Sequence, residues 1–237
     1  MITKSKRQTI PRVIQIPRKT FFWGVSAVPG GHRKDESIPM LHILRDYLKI
    51  GDKEREITRI LNDGQVLVDG RKIKQRRYAA GFMDIISIPS MKKHYRILYD
   101  KRGKLRPYEE KEASAQVKLK KVKGKYTTEG GKIQLLLHDG QNFITSDSTI
   151  RPGDVVAVHV PDKKIESVIK LQPGTRAFLT GGSHVGTQAV IKNIEISKSS
   201  GSNLIHMEEG FSTISDYVFP IAGGKFSYQV PEQAGDE

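Results

Sequence analysis

The residues ILNDGQVLVDGRKIKQRRYAAGFMDIISIP, numbered 60–89, decide the fold, because a helical pattern gives way to a β pattern within them. Gly64 follows the helical pattern where a glycine C-cap is expected. Asp69-Gly70 lies between two runs of strand-forming residues, and this pair is a strong hairpin signal because both turn positions need positive φ. GFMDIISIP, residues 81–89, has the nearly continuous apolar character of a buried strand.

Two helices are predicted immediately before the hairpin. Leucines at helical spacing in MLHILRDYLKI, residues 40–50, predict the first, and Asp52 is the predicted N-cap of the second. Both helices carry basic side chains on a face separate from their apolar residues. These are His42, Arg45 and Lys49 on the first helix and Arg55 and Arg59 on the second. Residues 41–89 are therefore predicted to form a small module of two helices and a short sheet with a basic surface.

Positive charge is concentrated in the first half of the chain. Residues 1–125 hold 31 Lys and Arg against 13 Asp and Glu, a surplus of +18, whereas residues 126–237 hold 9 against 13, or −4, which together give the net charge of +14. Such a gathered surplus indicates a polyanionic partner, and nucleic acid is the leading candidate because each phosphate contact releases counterions. A purely solubilising charge is the alternative, although solubility does not require the charge to lie in one half.

Composition narrows the class of protein. The 237 residues include no Cys, which excludes disulfides, thiolate metal sites and a Cys nucleophile, and which suits a reducing compartment. No apolar run reaches the ~20 residues of a membrane span, and the basic N-terminus lacks the apolar stretch of a secretory signal. A hydrophobic fraction of 37%, with 22 Gly and 11 Pro, favours several small modules. We therefore expect a soluble, cytoplasmic protein.

Residues 1–40 are predicted to be a basic extension. Four prolines interrupt any helix, and the segment on its own cannot bury enough apolar surface to offset its chain entropy. We expect it to become ordered on a charged partner. Phe21, Phe22 and Trp23 are the exception, since they either stack on bases or, in the favoured interpretation, form an apolar plug that holds the extension to the next domain.

The remainder of the chain has mainly β character. Residues 90–171 are predicted to form a β-rich domain, with a hairpin around Asp139-Gly140 and short, regularly spaced strands that suggest a small barrel. In residues 172–230, two strand patterns flank the loop GGSHVG. The last residues, 231–237, form a polar tail that we expect to be disordered.

The glycine-rich loop has more than one interpretation. TRAFLTGGSHVGTQAVIKNIE resembles the KOW motif, a β-hairpin element of small barrels in ribosomal proteins and transcription elongation factors. By that resemblance Gly186 is the characteristic glycine and provides a positive-φ turn, with Gly181 and Gly182 in the same loop. A passive turn is the alternative. A phosphate-binding loop is disfavoured, because the Lys-Ser/Thr ending is missing and a strand pattern follows.

No catalytic, metal or cofactor site is predicted. The seven His residues show no ligand spacing with one another or with carboxylates. Acids and histidines are scattered without a nucleophile elbow, so no Ser/His/Asp constellation can be argued. These observations favour a binding protein over an enzyme.

Residues 41–89 resemble the S-four RNA-binding domain, in which a helix pair and a hairpin meet structured RNA. The segments HRKDESIPMLHILRDYLKI, ILNDGQVLVDGRKIKQRRYAAGFMDIISIP, GGKIQLLLHDGQN and GGSHVGTQAVIKNIE together resemble the ribosomal protein S-four-e family, over nearly the whole chain. The resemblance implies an α+β fold of several modules. These are the basic extension at 1–40, the S-four domain at 41–89, a β-rich central domain at 90–171 and a small SH-three-like KOW β-barrel at 172–230.

The same resemblance implies a non-catalytic structural constituent of the small ribosomal subunit. Its partners would be small-subunit ribosomal RNA and neighbouring ribosomal proteins, with no cofactor, small-molecule substrate or membrane. The short C-terminus and the lack of Cys hint at an archaeal source. Lys and Arg side chains are expected to contact phosphates, with His42 as a hydrogen-bonding partner. The predicted RNA-binding residues are Arg12, Arg18, Lys19, Arg33, Lys34, His42, Arg45, Lys49, Arg55, Arg59, Lys72, Lys74, Arg76 and Arg77.

Two other functions stay open. An RNA-modifying enzyme with an S-four domain would need a catalytic domain of roughly 150–200 residues, whereas the 148 residues after residue 89 have the pattern of small β modules. A KOW-type transcription elongation or regulatory factor is permitted by the loop motif, but the S-four module and the basic extension do not call for that function. A modification assay on RNA tests the enzyme, and stoichiometric presence in salt-washed small subunits distinguishes the ribosomal role from the elongation factor.

Overall fold

The computed structural model describes residues 4–128, 130–162, 164–198, 201–223 and 226–231. Within these ranges the protein is mostly β, with two short α-helices and several antiparallel sheets. The α component of the predicted α+β fold is therefore smaller than expected. The tail predicted at 231–237 lies, apart from its first residue, outside the described residues.

The N-terminal region combines short strands with the two helices. Its elements are β1 (Lys4–Lys6), β2 (Trp23–Val25), β3 (Ser37–Pro39), α1 (Met40–His42), a π-helical turn that continues α1 (Ile43–Tyr47), and α2 (Glu54–Asn62). β1 pairs with β2, and Lys6 lies opposite Trp23. Both predicted helices are confirmed as helical segments, although the first widens into the π-turn after three residues.

The extension differs from the expected unordered tail. Ile10, Ile14 and Ile16 are buried, with 3%, 2% and 7% of their surface exposed, and they belong to the main apolar core. The isoleucines alternate with prolines and polar residues, so the segment cannot form a core by itself. Distant strands supply the apolar partners, and burial against them offsets the chain entropy.

A five-stranded antiparallel sheet follows α2. The strands of this region are β4 (Leu67–Val68), β5 (Arg71–Lys72), β6 (Ala79–Gly81), β7 (Ile85–Ile88), β8 (Lys93–Tyr99) and β9 (Leu105–Glu110). β6 pairs with β3, and the others form the sheet in the order β5-β4-β7-β8-β9. The predicted hairpin at Asp69-Gly70 is confirmed, with both residues at positive φ. The sheet continues past residue 89, where the boundary of the two-helix module was predicted, because β8 pairs with β7 and β9 with β8.

The central sheet also has five antiparallel strands. They are β10 (Val117–Thr127), β11 (Ile133–Leu137), β12 (Asn142–Thr145), β13 (Val155–His159) and β14 (Ile165–Ile169). Their order is β12-β11-β10-β13-β14, so the long strand β10 lies in the middle. The hairpin predicted around Asp139-Gly140 is confirmed as the connection between β11 and β12.

Six strands form the last sheet. They are β15 (Arg176–Leu179), β16 (Gln188–Glu195), β17 (Leu204–Met207), β18 (Ser212–Ile214), β19 (Val218–Gly223) and β20 (Phe226–Ser227). Their order is β18-β17-β16-β15-β19-β20, and every pair is antiparallel. The glycine-rich loop at 181–186 connects β15 to β16.

One apolar core joins the extension, the helices and parts of all three large sheets. Phe82, which follows β6, stacks on Phe178 of β15 with 5.6 Å between ring centres. Phe82 also meets Phe219 of β19 edge to face at 5.0 Å. These ring contacts hold the six-stranded sheet against the helix-bearing part of the molecule, so the basic surface rests on a shared scaffold.

Candidate nucleic-acid interface

The centre of the basic surface is the exposed side of α2. Ile57 and Leu61 are fully buried, while Arg55 and Arg59, one helical turn apart, are exposed on the other side. Within the described part of the chain, neither guanidinium group forms a hydrogen bond or an ion pair. Their guanidinium groups are therefore available to an external anion, on a helix fixed by its apolar face.

The start of α2 differs from the predicted one. The helix begins at Glu54, and the carboxylate of Glu56 accepts hydrogen bonds from the backbone N–H groups of Asp52 at 3.0 Å and Lys53 at 3.2 Å. A glutamate of the third helical position thus caps the N-terminus, as in a capping box. The Glu56 carboxylate thus lies at the N-terminal end of α2, and the groups on this surface that suit an anion are the arginine side chains.

An open groove of about 700 Å³ runs beside α2. Arg55 and Arg59 line it together with Arg76, which precedes β6 and forms an ion pair with Glu54 at 2.7 Å. Lys72 and Lys74 of the hairpin region are exposed, and neither ammonium group has a hydrogen-bond or ion-pair partner among the described residues. The helix, the groove and the hairpin therefore present cations on neighbouring elements.

The hairpin is held rigidly by contact with the central sheet. A Cβ at Gly70, where φ is +73°, would lie 2.8 Å from Pro161 beyond the end of β13. At the other turn position, Asp69 accepts a hydrogen bond from Lys118 of β10 at 2.5 Å. The position of the basic hairpin is therefore fixed by packing on both sides of its turn.

His42 is a correction to the predicted RNA-binding set. Its side chain is fully buried, and Nδ1 is 2.6 Å from the carboxylate of Asp46, one turn later. Arg45 also binds this carboxylate, at 3.0 Å. Burial raises the pKa of Asp46, but the hydrogen bonds from His42 and Arg45 outweigh it and lower the pKa to about 2. His42 therefore orders the helical turn and does not reach a surface ligand.

Arg18 and Arg77 also have structural partners. The guanidinium of Arg18 donates to the backbone carbonyls of Gln8, Ile10 and Pro11 at 2.7–3.1 Å, which closes the loop of the extension. Arg77 donates to the carbonyl of Ser26 at 2.9 Å. The remaining predicted cations of this part lie on the surface, with Arg33 3.8 Å from Glu36. They are Arg12, Lys19, Arg33, Lys34 and Lys49.

At Gly186 the glycine-rich loop packs against another part of the same protein. Gly186 has φ of +79°, and a Cβ there would lie 2.6 Å from the carbonyl carbon of Asp100 in the β8–β9 turn. A Cβ at Gly181 would lie 2.6 Å from the ring of Tyr217. Gly182 also has positive φ, +83°. The missing side chain of Gly186 thus lets the loop approach the turn between β8 and β9 of the sheet β5-β4-β7-β8-β9.

Sequence reasoning missed a buried charge cluster beneath the basic surface. Lys118 of β10 is 1% exposed, and its ammonium group lies 2.5 Å from Asp69, 2.6 Å from Asp84 and 3.4 Å from Asp139. Burial lowers the pKa of Lys118, but the three carboxylates outweigh it and raise the pKa above its usual range. The cluster joins the hairpin, the β6–β7 turn and the β11–β12 turn.

The aromatic residues of the extension also differ from the favoured interpretation. Phe21, Phe22 and Trp23 are 71%, 63% and 54% exposed. They therefore do not form an apolar plug between the extension and the next part of the protein. The apolar anchors are instead the isoleucines of the same segment.

Comparison with known proteins gives consistent matches. A family model described as "Ribosomal family S4e" matches residues 91–165. The chain is 50% identical to the small ribosomal subunit protein eS4 of Picrophilus torridus over 98% of each chain. It is 48% identical to the protein of the same name from Thermoplasma volcanium, over 98% of this chain and 97% of that one. For Methanothermobacter thermautotrophicus the identity is 40%, over 95% of each.

A solved structure is similar as well. The crystal structure of the 30S ribosomal protein S4e from Thermoplasma acidophilum matches with a TM-score of 0.73 and 49% identity, and the match covers 81% of this chain and 98% of that one. These relatives come from archaea. Across the described ranges, no helix combines the length and the apolar character needed to cross a membrane.

Proposed function

The chain belongs to the S4e family of ribosomal proteins, and from this membership we propose that it is a structural constituent of the small ribosomal subunit that binds small-subunit ribosomal RNA. Relatives that align over nearly their whole length carry the name small ribosomal subunit protein eS4. The proposed location is the ribosome in the cytoplasm, beside neighbouring small-subunit proteins. The proposed role is non-catalytic.

The observation that carries the RNA-binding proposal is that Arg55 and Arg59 of α2 are exposed and that their guanidinium groups have no partner among the residues that the structure describes. The pair stands on a helix whose other face is buried, next to the exposed lysines of the hairpin. Cations on adjacent packed elements suit the phosphates of folded RNA, which is recognised mainly by shape and backbone. We therefore propose that this face reads RNA shape and backbone more than sequence.

The proposed contact set follows from exposure. Side chains that are buried or bound to backbone carbonyls are left out, which removes His42, Arg18 and Arg77. The proposed phosphate contacts are Arg12, Lys19, Arg33, Lys34, Arg45, Lys49, Arg55, Arg59, Lys72, Lys74 and Arg76. Counterion release at several of these contacts together would make binding fall steeply with salt concentration.

The domain assignment is part of the same proposal. Residues 41–89 would form an S-four domain whose sheet is extended by β8 and β9, and residues 172–230 would form a KOW domain with the loop of Gly181, Gly182 and Gly186. The central sheet would link the two. Contact of Gly186 with the chain's own backbone supports a loop that fixes this domain in place, with the RNA contacts lying on the basic half.

The test uses a double variant and a matched control. Arg55→Glu with Arg59→Glu should weaken binding to small-subunit ribosomal RNA by several kcal/mol, roughly 1–3 for each charged contact. Lys132→Glu with Arg151→Glu makes the same change in net charge at exposed sites of the acidic half and should lose much less. Filter binding over a salt series measures both. A flat salt response of the unaltered protein would contradict the proposal.

A further inference from the structure

Phe21, Phe22 and Trp23, called the aromatic cluster below, expose the larger part of their surface, at 71%, 63% and 54%. Burying an aromatic side chain stabilises a protein, and three adjacent exposed rings do not contribute that stabilisation. Contiguous apolar surface with polar neighbours is characteristic of an interaction site. A partner that covers these rings would explain their exposure.

The backbone that carries the rings is fixed. Trp23 begins β2 opposite Lys6 of β1, and the N–H of Arg7 donates to the carbonyl of Phe22 at 2.9 Å. Gly24 packs directly on Ile10 of the core, where a side chain would collide. The rings of Phe22 and Trp23 meet edge to face at 4.8 Å. Because the rings are already positioned, a ligand that stacks on them has little ordering cost to overcome.

Cations stand directly beside the rings. The Lys6 ammonium lies 5.8 Å from the centre of the Phe22 ring and is exposed. The Arg7 guanidinium lies 5.4 Å from the centre of the Phe21 ring, but it is buried and donates to the carbonyl of Pro17, so Lys6 is the cation that a ligand can reach. The cluster also borders an open groove of about 840 Å³, where Lys49 is exposed and Arg45 is paired with Asp46. Apolar ring faces and positive charge thus occupy one surface.

Acidic residues in the groove are mostly neutralised. Asp46 is bound by His42 and Arg45, and Glu54 forms an ion pair with Arg76. Asp52 also lines the groove and is exposed. The charge available to a ligand beside the rings is therefore predominantly positive, which favours an anionic partner.

We propose that the aromatic cluster is a stacking platform for unpaired bases of small-subunit ribosomal RNA, whose phosphates meet the neighbouring Lys and Arg side chains. The inference rests on the proposed function and extends it from phosphate contact to base contact. Single-stranded nucleic acid combines planar apolar faces with a charged backbone, and aromatic platforms in basic grooves match both. A protein partner that covered these rings would also have to desolvate the adjacent cations, which costs free energy without compensating anions.

The chain offers a direct reporter, because Trp23 is its single Trp. A base stacked on the indole ring quenches its fluorescence. Titration of the full chain with a short oligouridylate should therefore quench Trp23 emission. Inorganic polyphosphate, which supplies phosphates without bases, should bind the same basic surface and leave the emission nearly unchanged. Equal quenching by the two ligands would overturn the platform.

Variants test the energetic contribution. Phe21→Ala with Phe22→Ala should lower the affinity for oligouridylate by roughly 5- to 150-fold, which corresponds to the contribution of one stacked base. The salt dependence should stay the same, because the phosphate contacts remain. Tyr126→Ala removes another exposed ring, 59% exposed in the acidic half, and should leave the affinity unchanged. Thermal unfolding of each variant verifies that the fold is intact.

The outcomes separate this inference from the proposed function. If the double phenylalanine variant binds oligouridylate like the unaltered chain while the Arg55/Arg59 variant loses RNA binding, the platform is overturned and the ribosomal role stands. If neither variant loses binding, the RNA-binding proposal also fails. If the phenylalanine variant keeps its affinity for RNA but no longer enters small subunits, the rings contact a protein and the platform is overturned.

Discussion

At the scale of single residues, Gly186 links two sheets through the absence of a side chain. Its φ of +79° is a conformation that L-residues with a Cβ adopt at a cost, and its Cα lies against the backbone of Asp100. The loop belongs to the six-stranded sheet and Asp100 to a turn of the five-stranded one. A larger residue would strain the loop and also push the two sheets apart.

Gly186→Ala should therefore lower the free energy of unfolding by two separable amounts. The left-handed conformation accounts for about 1–2 kcal/mol, and the overlap with the Asp100 backbone for roughly 1–3 kcal/mol more. Gly174→Ala is the control, because Gly174 has φ of +82° with nothing within 4 Å of its would-be Cβ. Urea unfolding of the two variants gives the difference. Equal losses would mean that the loop does not press on Asp100.

At the scale of elements, the sequence predicted those helices and turns whose conformation depends mainly on neighbouring residues. α2 was predictable because its apolar residues and its arginines separate at helical spacing, and the Asp69-Gly70 hairpin because its turn demands particular residues. The strand predicted over 81–89 is shorter, because β6 ends at Gly81, Met83 turns the chain at φ +68°, and β7 begins only at Ile85. The order of the extension was not predictable, because its isoleucines find their partners on distant strands.

Ile14→Ala tests whether the extension is part of the folded core. Ile14 is 2% exposed, so truncation should lower the free energy of unfolding by about 2–5 kcal/mol, as for other large-to-small core changes. Gln8→Ala, at an exposed position of the same segment, should change it by less than about 0.5 kcal/mol. Urea unfolding measures both free-energy changes. Limited proteolysis after Arg12 and Lys19 reports whether the extension itself is detached from the core. An extension detached from the core would make the two variants indistinguishable.

At the scale of the whole molecule, the basic surface was predictable in composition but not in its details. Exposed cations such as Arg55 follow from charge and periodicity. The burial of His42, and the hydrogen bonds from the Arg18 guanidinium to backbone carbonyls, depend on how segments pack in three dimensions. The cluster around Lys118 brings together carboxylates from three separate turns, and no short stretch of sequence predicts such a contact.

Two histidines beside this cluster have opposite electrostatic environments. Nε2 of His32 is 3.0 Å from Asp84, and although burial lowers the pKa of His32, the charge and hydrogen bond of Asp84 raise it above 6.5. Burial lowers the pKa of His138 to about 3. Its Nδ1 accepts the backbone N–H of Lys121 at 3.1 Å, which suits the neutral ring. His32 therefore favours the folded state when charged, and His138 when neutral.

The summed contribution of these two rings to stability is expected to be largest near pH 6.5, the pKa expected for both histidines in the unfolded chain. The contribution of His32 is fully present below that pH and is lost as the pH rises through its elevated folded pKa. The contribution of His138 is present above pH 6.5 and falls by about 2 kcal/mol between pH 6.5 and pH 5. In that range His138 becomes protonated in the unfolded chain but stays neutral in the folded one. Urea unfolding across pH 5–8 checks this. His32→Gln should remove the decline on the alkaline side only, and His138→Gln the decline on the acidic side only. If either substitution flattened both sides, the two rings would not titrate independently.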